Sequence, residues 1–182
     1  MRGFPGPWYV AGGWALDLFL GRVTRPHEDV EVALFRQDQM QLREHLPDWE
    51  FVKVSRGRRD PWRSGEWLEL PVHEIHGCQH ETGTALEFLL NERQGGSWVY
   101  RRNAAVTLPL ERVGGQRSDL PYLRPEIVLL YKAKSPRPID EEDFRSVLHA
   151  LDDDGARWLF GALRECHPKH HWLEALAGPT PN

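Results

Sequence analysis

The chain of 182 residues carries 23 Lys and Arg against 27 Asp and Glu, a formal charge of −4, and is 40% apolar. That profile excludes collagen-like, disordered and disulfide-scaffold classes, and its mild acidity argues against a protein whose main task is to coat nucleic acid. The length suits one sizeable core, or one domain with a small helical appendage, and cannot hold two complete enzymatic domains.

In chain order, Trp8–Ala11 is a short β-like run that meets Gly12-Gly13 and passes into a helical stretch, Trp14–Leu20, stopped by Gly21. Asp29–Leu34 alternates polar and apolar residues before turning wholly apolar, as a strand entering a sheet does. Asp38 can cap a helix to about Leu46, and Trp49–Val54 predicts a strand followed by a basic, mobile loop, Ser55–Ser64. Trp67–Leu70, Val72–Ile75 and Ala85–Leu90 are further β-like runs, with Gly77–Gly83 as a hairpin-type link. Trp98–Arg101 and Ala105–Leu108 are weaker strand candidates. After Gly114-Gly115 the pattern turns helical: Pro125 opens a helix to Lys134, Ser135–Pro138 breaks it, and Asp140 caps the next to about Leu151. Helices at about Gly155–Cys166 and Pro168–Leu176 follow. The expected fold is therefore α/β (α+β), a mixed β-sheet flanked by helices over residues 1–115, with a C-terminal helical region, 116–182, packed upon it.

The charges are segregated along the chain. Lys53–Arg63 is net +4, Gly65–Glu92 carries six glutamates and no Lys or Arg, and Arg93–Arg137 is net +6. No run approaches the ~18 apolar residues of a membrane span, and Met1–Pro7 lacks the apolar stretch of a secretory signal. With two cysteines, Cys78 and Cys166, suited to a reducing compartment, the expected location is cytoplasmic, with no membrane partner.

Gly12-Gly13 at a strand-to-helix turn offers free backbone N–H groups and a helix N-terminus, the elements of a phosphate cradle, beside which Trp14 could line a nucleotide pocket. Asp29 and Glu31 lie two apart on a strand and so present two carboxylates to one point, where like charges demand a hard cation such as Mg²⁺. Glu87 is a lone acid in an otherwise apolar strand, which needs a reason to be there, and Glu69 fits the same description. Asp17, one turn into the first helix, can bond Arg22 or Arg25 or contact a substrate amine. His73, His76, Cys78 and His80 have metal-like spacing without the second cluster that a structural zinc site needs.

The run Gly12-Gly13-Trp14-Ala15-Leu16-Asp17 through Leu20-Gly21-Arg22-Val23-Thr24-Arg25-Pro26-His27-Glu28-Asp29-Val30-Glu31 resembles the aminoglycoside nucleotidyltransferases, in particular the 2''-O-adenylyltransferase type, of the DNA polymerase β-like superfamily. Leu123–Lys134 and Asp140–Phe144 resemble their C-terminal region. The resemblance implies transfer of AMP from ATP, or of another NMP from its own NTP, to a hydroxyl of a small aminoglycoside-like acceptor with release of pyrophosphate. It also implies phosphates held by Gly12, Gly13 and a helix lysine, two Mg²⁺ ions on Asp29 and Glu31, and a third carboxylate as base, for which Glu87 is the candidate and Glu69 its rival, with Glu92 a candidate contact to the acceptor. Lys132 and Lys134, two apart, face different sides of the helix, and Lys132 is favoured because it follows the apolar stripe Val128, Leu129 and Tyr131 more closely. Glutamate at 31 and 87 departs from the family's usual aspartates. Two other readings are a toxin or regulator acting on tRNA or protein through the basic segments, and a non-catalytic nucleotide-binding relative. Nucleic acid is the less favoured partner, and a homodimer is left open.

Overall fold

The computed structural model describes residues 1–177. Its chain order is β1 (Trp8–Val10), α1 (Gly12–Leu20), β2 (Glu31–Phe35), α2 (Gln39–His45), β3 (Glu50–Ser55), β4 (Arg58–Pro61), β5 (Glu74–Gln79) and β6 (Thr84–Gln94). There follow β7 (Ser97–Val99), β8 (Thr107–Pro109), β9 (Gly114–Arg117), β10 (Leu120–Leu123), α3 (Pro125–Lys132), α4 (Pro138–Leu148), α5 (Asp153–Cys166) and α6 (Trp172–Leu176). The mixed sheet runs β4-β3-β5-β6-β2-β1-β10-β9, with β7 and β8 extending from β6. The β2–β6 and β1–β10 pairs are parallel and the remaining pairs antiparallel.

Strand alternation divides the core in two. Val32 and Leu34 point to a face shared with Phe4, Leu42, Phe51, Ile75 and Phe88. Ala33 and Phe35 point to the other, where α1, α3 and α5 contribute Leu16, Ile127, Leu130, Leu159 and Leu163. Burial on both faces is why this central strand reads as an almost unbroken apolar run.

Several expected elements shift for local physical reasons. The segment Ser55–Ser64 is a hairpin, because Arg56 (φ 51°) and Gly57 (φ 76°) take the left-handed pair that matches strand twist in a two-residue turn. Trp67–Leu70 is irregular and lies outside the sheet, which removes Glu69 from the strands. The expected unit boundary at 115 falls within β9, and β10 is hydrogen-bonded to β1, so the sheet runs on to Leu123 before the helical region begins. α4 starts at Pro138, and Asp140 sits three residues inside it, where its carboxylate accepts from the Arg137 backbone N–H at 2.9 Å.

A buried ionic network ties the loop after α1 to the C-terminal helices. Arg25 donates two hydrogen bonds to Asp143, at 2.9 and 3.0 Å, and Lys132 lies 2.6 Å from Asp140 and 3.0 Å from Asp143. Burial alone would raise the Asp143 pKa, but the Arg25 hydrogen bonds and the Lys132 charge hold it below the ordinary aspartate value. A depressed carboxylate contributes stability above its unfolded pKa and loses it as pH falls through the folded one. Asp143→Asn, which strands Arg25 and Lys132, is therefore expected to cost about 3 kcal/mol at pH 7. Denaturant melts should show the deficit shrinking below about pH 4, where wild type loses the same interaction.

Candidate active site

Register builds the floor of a cleft of about 800 Å³. Glu31 pairs directly with Glu87 across the parallel β2–β6 ladder, and Glu87 pairs with His76 across β6–β5, so their side chains share the face toward α3. Glu74, two residues before His76, falls on the same face, and Asp29 lies two residues before Glu31, the first residue of β2. Four carboxylates thus converge. Burial, aggravated by the charge of Asp29 and then of Glu87 and Glu74, pushes the Glu31 pKa up to about 7 despite opposition from Lys132. Burial likewise raises Glu87, with Asp29 and Glu74 adding to the shift and His76 opposing it.

Gly12 and Gly13 form the first turn of α1 and both line the cleft. Gly12 has φ +57°, and a Cβ there would fall inside the Glu31 carboxylate; a Cβ on Gly13 would strike His27 and Arg25. The glycine pair thus brings a helix N-terminus directly against the acidic floor, which only residues without side chains permit. The donor chemistry fits hard divalent cations: oxygen ligands from Asp29 and Glu31, whose repulsion a cation would relieve, beside backbone N–H groups suited to phosphate.

The opposite wall is basic. Arg25, Arg101, Arg102, Lys132, Lys134 and Arg137 all line the cleft. Lys134 joins Lys132 there because α3 ends at Lys132, so helical periodicity no longer separates the two.

Four candidate residues are not part of the cleft lining: Glu87, which adjoins it through its pairing with Glu31, and Asp17, Glu92 and Trp14, which lie away from it. Asp17 is 4% exposed, and its carboxylate accepts from the Thr24 hydroxyl and backbone N–H at 2.6 and 3.0 Å and from His27 Nε2 at 2.6 Å. Those bonds shape the loop that delivers Asp29; the Asp17 carboxylate bonds neither arginine side chain, although the Arg22 N–H donates to the Asp17 backbone carbonyl at 3.2 Å, and its burial keeps it from an acceptor. Glu92 is an odd number of positions from Glu87 and so faces the opposite side of the sheet, bonded to Arg36 Nε at 2.7 Å. Trp14 packs against His27 at a tilt of 42°, ring centroids 4.6 Å apart, and buttresses the same loop rather than the cleft.

Sequence reading gave Glu74 and His76 no part in this floor. The His76 Nε2 lies 2.6 Å from Glu74 Oε1 and 3.5 Å from Glu87 Oε1. Their period-2 spacing with Cys78 was visible, but the partner strand that gives it meaning comes from antiparallel register across the 80–83 turn.

An acid with a raised folded pKa destabilises the folded state once it ionises. Glu31→Gln is therefore expected to raise the apo melting temperature by a few degrees at pH 8, the gap appearing above about pH 4.5 and levelling off above about pH 7. Equal melting temperatures across that range would show that the floor is not under charge strain.

Residues 1–117, more than half of the chain, match the model of the aminoglycoside-2''-adenylyltransferase family. Among solved structures, the complex of ANT(2'')-Ia with adenylyl-2''-tobramycin aligns with a TM-score of 0.54 at 18% identity, covering 89% of each chain. The solution structure of the antibiotic-resistance factor ANT(2'')-Ia aligns at 0.54 and 17% identity, covering 90% of this chain and 84% of that one. The lincomycin-bound lincosamide antibiotic adenylyltransferase LnuA aligns at 0.52 and 16% identity, covering 78% of this chain and 85% of that one. No curated protein matches the sequence. At these identities the structures speak to the nucleotidyltransferase fold, and the family match carries the assignment: the chain belongs to the aminoglycoside-2''-adenylyltransferase family and is a nucleotidyltransferase.

Proposed function

We propose that the protein transfers AMP from ATP to a hydroxyl of a cationic, aminoglycoside-like antibiotic and releases pyrophosphate. The observation that carries this reading is the Glu31–Glu87 strand pair, which sets a third carboxylate beside Asp29 and Glu31 within reach of the α1 N-terminus. Asp29 and Glu31 are the residues that would hold two Mg²⁺ ions, which when bound supply charge neutralisation to the phosphates and the attacking oxygen. Gly12 and Gly13 offer backbone N–H groups to the triphosphate, and Lys132 lends positive charge from the opposite wall.

Glu87 accepts the proton of the acceptor hydroxyl as its oxygen bonds to the α-phosphorus and the bond to the departing pyrophosphate breaks. A carboxylate raised by burial and neighbouring acids is better matched to that task than an ordinary one. The acids along the cleft, Glu28, Glu74 and the adjoining Glu87, outnumber their one neighbouring imidazole, His76, and favour a polycationic acceptor over a neutral or acidic one.

The basic segments support a small acceptor over tRNA. They do not merge into one stripe: Arg117 bonds the Leu18 and Phe19 carbonyls, and Arg124 is committed to Glu126 and Asp152. The rest of the Arg93–Arg137 block converges largely inside the cleft. Among the described residues no helix is long and apolar enough to cross a membrane. Free Cys78 and Cys166, with dependence on NTP, support action in the cytoplasm.

Pyrophosphate release should be measured from ATP, GTP, CTP and UTP with Mg²⁺ against a panel of aminoglycosides and lincosamides. Wild type is expected to turn over at least one aminoglycoside with ATP, and Asp29→Ala to reduce release to background. Release no higher than that of Asp29→Ala with every acceptor would sink the antibiotic-modifying reading, and nucleotide binding without turnover would favour a non-catalytic relative. Glu87→Gln should retain ATP affinity while kcat falls about 10²- to 10⁴-fold; a rate near wild type would remove Glu87 as the base.

A further inference from the structure

The cations of the basic wall are not equally available to a ligand. Lys132 is held by Asp140 and Asp143, Arg137 by Asp140 and Arg25 by Asp143. Among the described residues, the cleft-lining cations with no carboxylate at ion-pair distance are Arg101, Arg102 and Lys134. Lys134 is an exposed lysine past the end of α3, whereas the two arginines are fixed from behind.

They stand at the start of the loop between β7 and β8, which is drawn tight by its own backbone. Tyr100 N–H donates to the Val106 carbonyl at 2.9 Å, Asn103 N–H to Tyr100 at 3.0 Å, and Val106 N–H to Asn103 at 3.1 Å. The Arg101 guanidinium lies 4.5 Å from the centroid of the Tyr131 ring. Arg102 donates to the Tyr131 carbonyl at 2.9 Å and to the Tyr100 hydroxyl at 3.2 Å. Tyr100 is itself buried against α3, where its hydroxyl donates to the Leu130 carbonyl at 3.4 Å. Two guanidinium groups are thereby held over an aromatic platform with their loss of freedom met in advance, while their charge has no internal counterion. Their field reaches the facing floor: the His73 imidazole there is kept below its usual pKa by burial and by Arg101 and Arg102, against the pull of the Pro71 carbonyl and Glu74.

We infer that Arg101, steadied by Arg102, is the polyphosphate-binding residue of this cleft, receiving the β- and γ-phosphates of the nucleotide and then the departing pyrophosphate. The inference rests on the nucleotidyltransfer reading above and extends it to the side of the site that the glycine turn and Lys132 do not supply. A planar guanidinium can engage two phosphate oxygens at once, and a fixed one does so with less ordering of its own. The same charge repels a cationic acceptor, which assigns the acceptor to the other side of the cleft, over Glu74 and Glu87.

Arg101→Ala, Arg101→Lys and Arg102→Ala should be compared with wild type in the full chain. The readouts are MgATP affinity by calorimetry, KM for each substrate, inhibition by inorganic pyrophosphate and thermal melting. For Arg101→Ala, nucleotide Kd and the pyrophosphate inhibition constant are expected to rise about tenfold, one charge-assisted contact, with acceptor KM within about twofold. Arg101→Lys should recover part of the loss, and Arg102→Ala should show a smaller rise in the same constants. A nucleotide affinity within about twofold of wild type in Arg101→Ala, or a defect in acceptor KM instead, overturns the inference while leaving the nucleotidyltransferase reading intact. Wild-type protein that binds neither MgATP nor pyrophosphate overturns both. Melting temperatures that stay level while pyrophosphate inhibition weakens separate a binding role from a structural one.

Discussion

The constraint on which this site depends is the crowding of carboxylates enforced by strand register. Hydrogen-bonded ladders hold Glu31, Glu87 and the Glu74–His76 pair side by side on one face, and those side chains cannot move apart without breaking backbone pairing. The protein meets the cost with positive charge on the opposing wall, but that wall is itself built from ion pairs whose members are partly spent on one another. An acidic floor short of cations facing a wall with two uncommitted arginines is the charge pattern that a metal-bound polyphosphate, as proposed above, would complete, with positive charge to one side and negative charge to the other.

The elements that position this chemistry are the tightest parts of the fold. Gly12 touches Glu31, and Gly13 is pressed by His27 and Arg25. The intervening loop is fastened at one end by Asp17 to Thr24 and His27 and at the other by Arg25 to Asp143. Asp17, read as a substrate contact in the sequence, thus becomes a support of the loop that carries Asp29. A carboxylate proposed to hold a metal must be placed to within a fraction of an ångström, and a loop can do that only when its own polar groups are satisfied.

What was legible in the sequence was whatever acts over short separations. The glycine turn, the Asp29–Glu31 pair and the lone Glu87 each follow from period or local chemistry, and the central mixed sheet followed from runs such as Glu31–Phe35. The same rule of alternation, carried five residues further, sends Glu92 to the other face. Less legible were features created by pairing at a distance. His76 and Glu74 acquire a neighbour only through the β5–β6 register, and Arg101 acquires its platform only when α3 brings Tyr131 beneath it. β9 and β10 escaped notice because Gly-Gly-Gln-Arg and Leu-Pro-Tyr-Leu carry little strand propensity; their pairing, with β1 as well as with each other, is tertiary.

That last pairing bears on how the polypeptide can be divided. β10 lies along β1, the strand that leads into the glycine turn, and covers an edge that would otherwise be open. The family match ends at residue 117, before β10 begins at Leu120. A fragment cut at the end of the matched region would expose the backbone donors and acceptors of β1 together with the apolar underside of α1. Such an unprotected edge invites association with other chains, so the recognisable portion of the sequence is not a portable module.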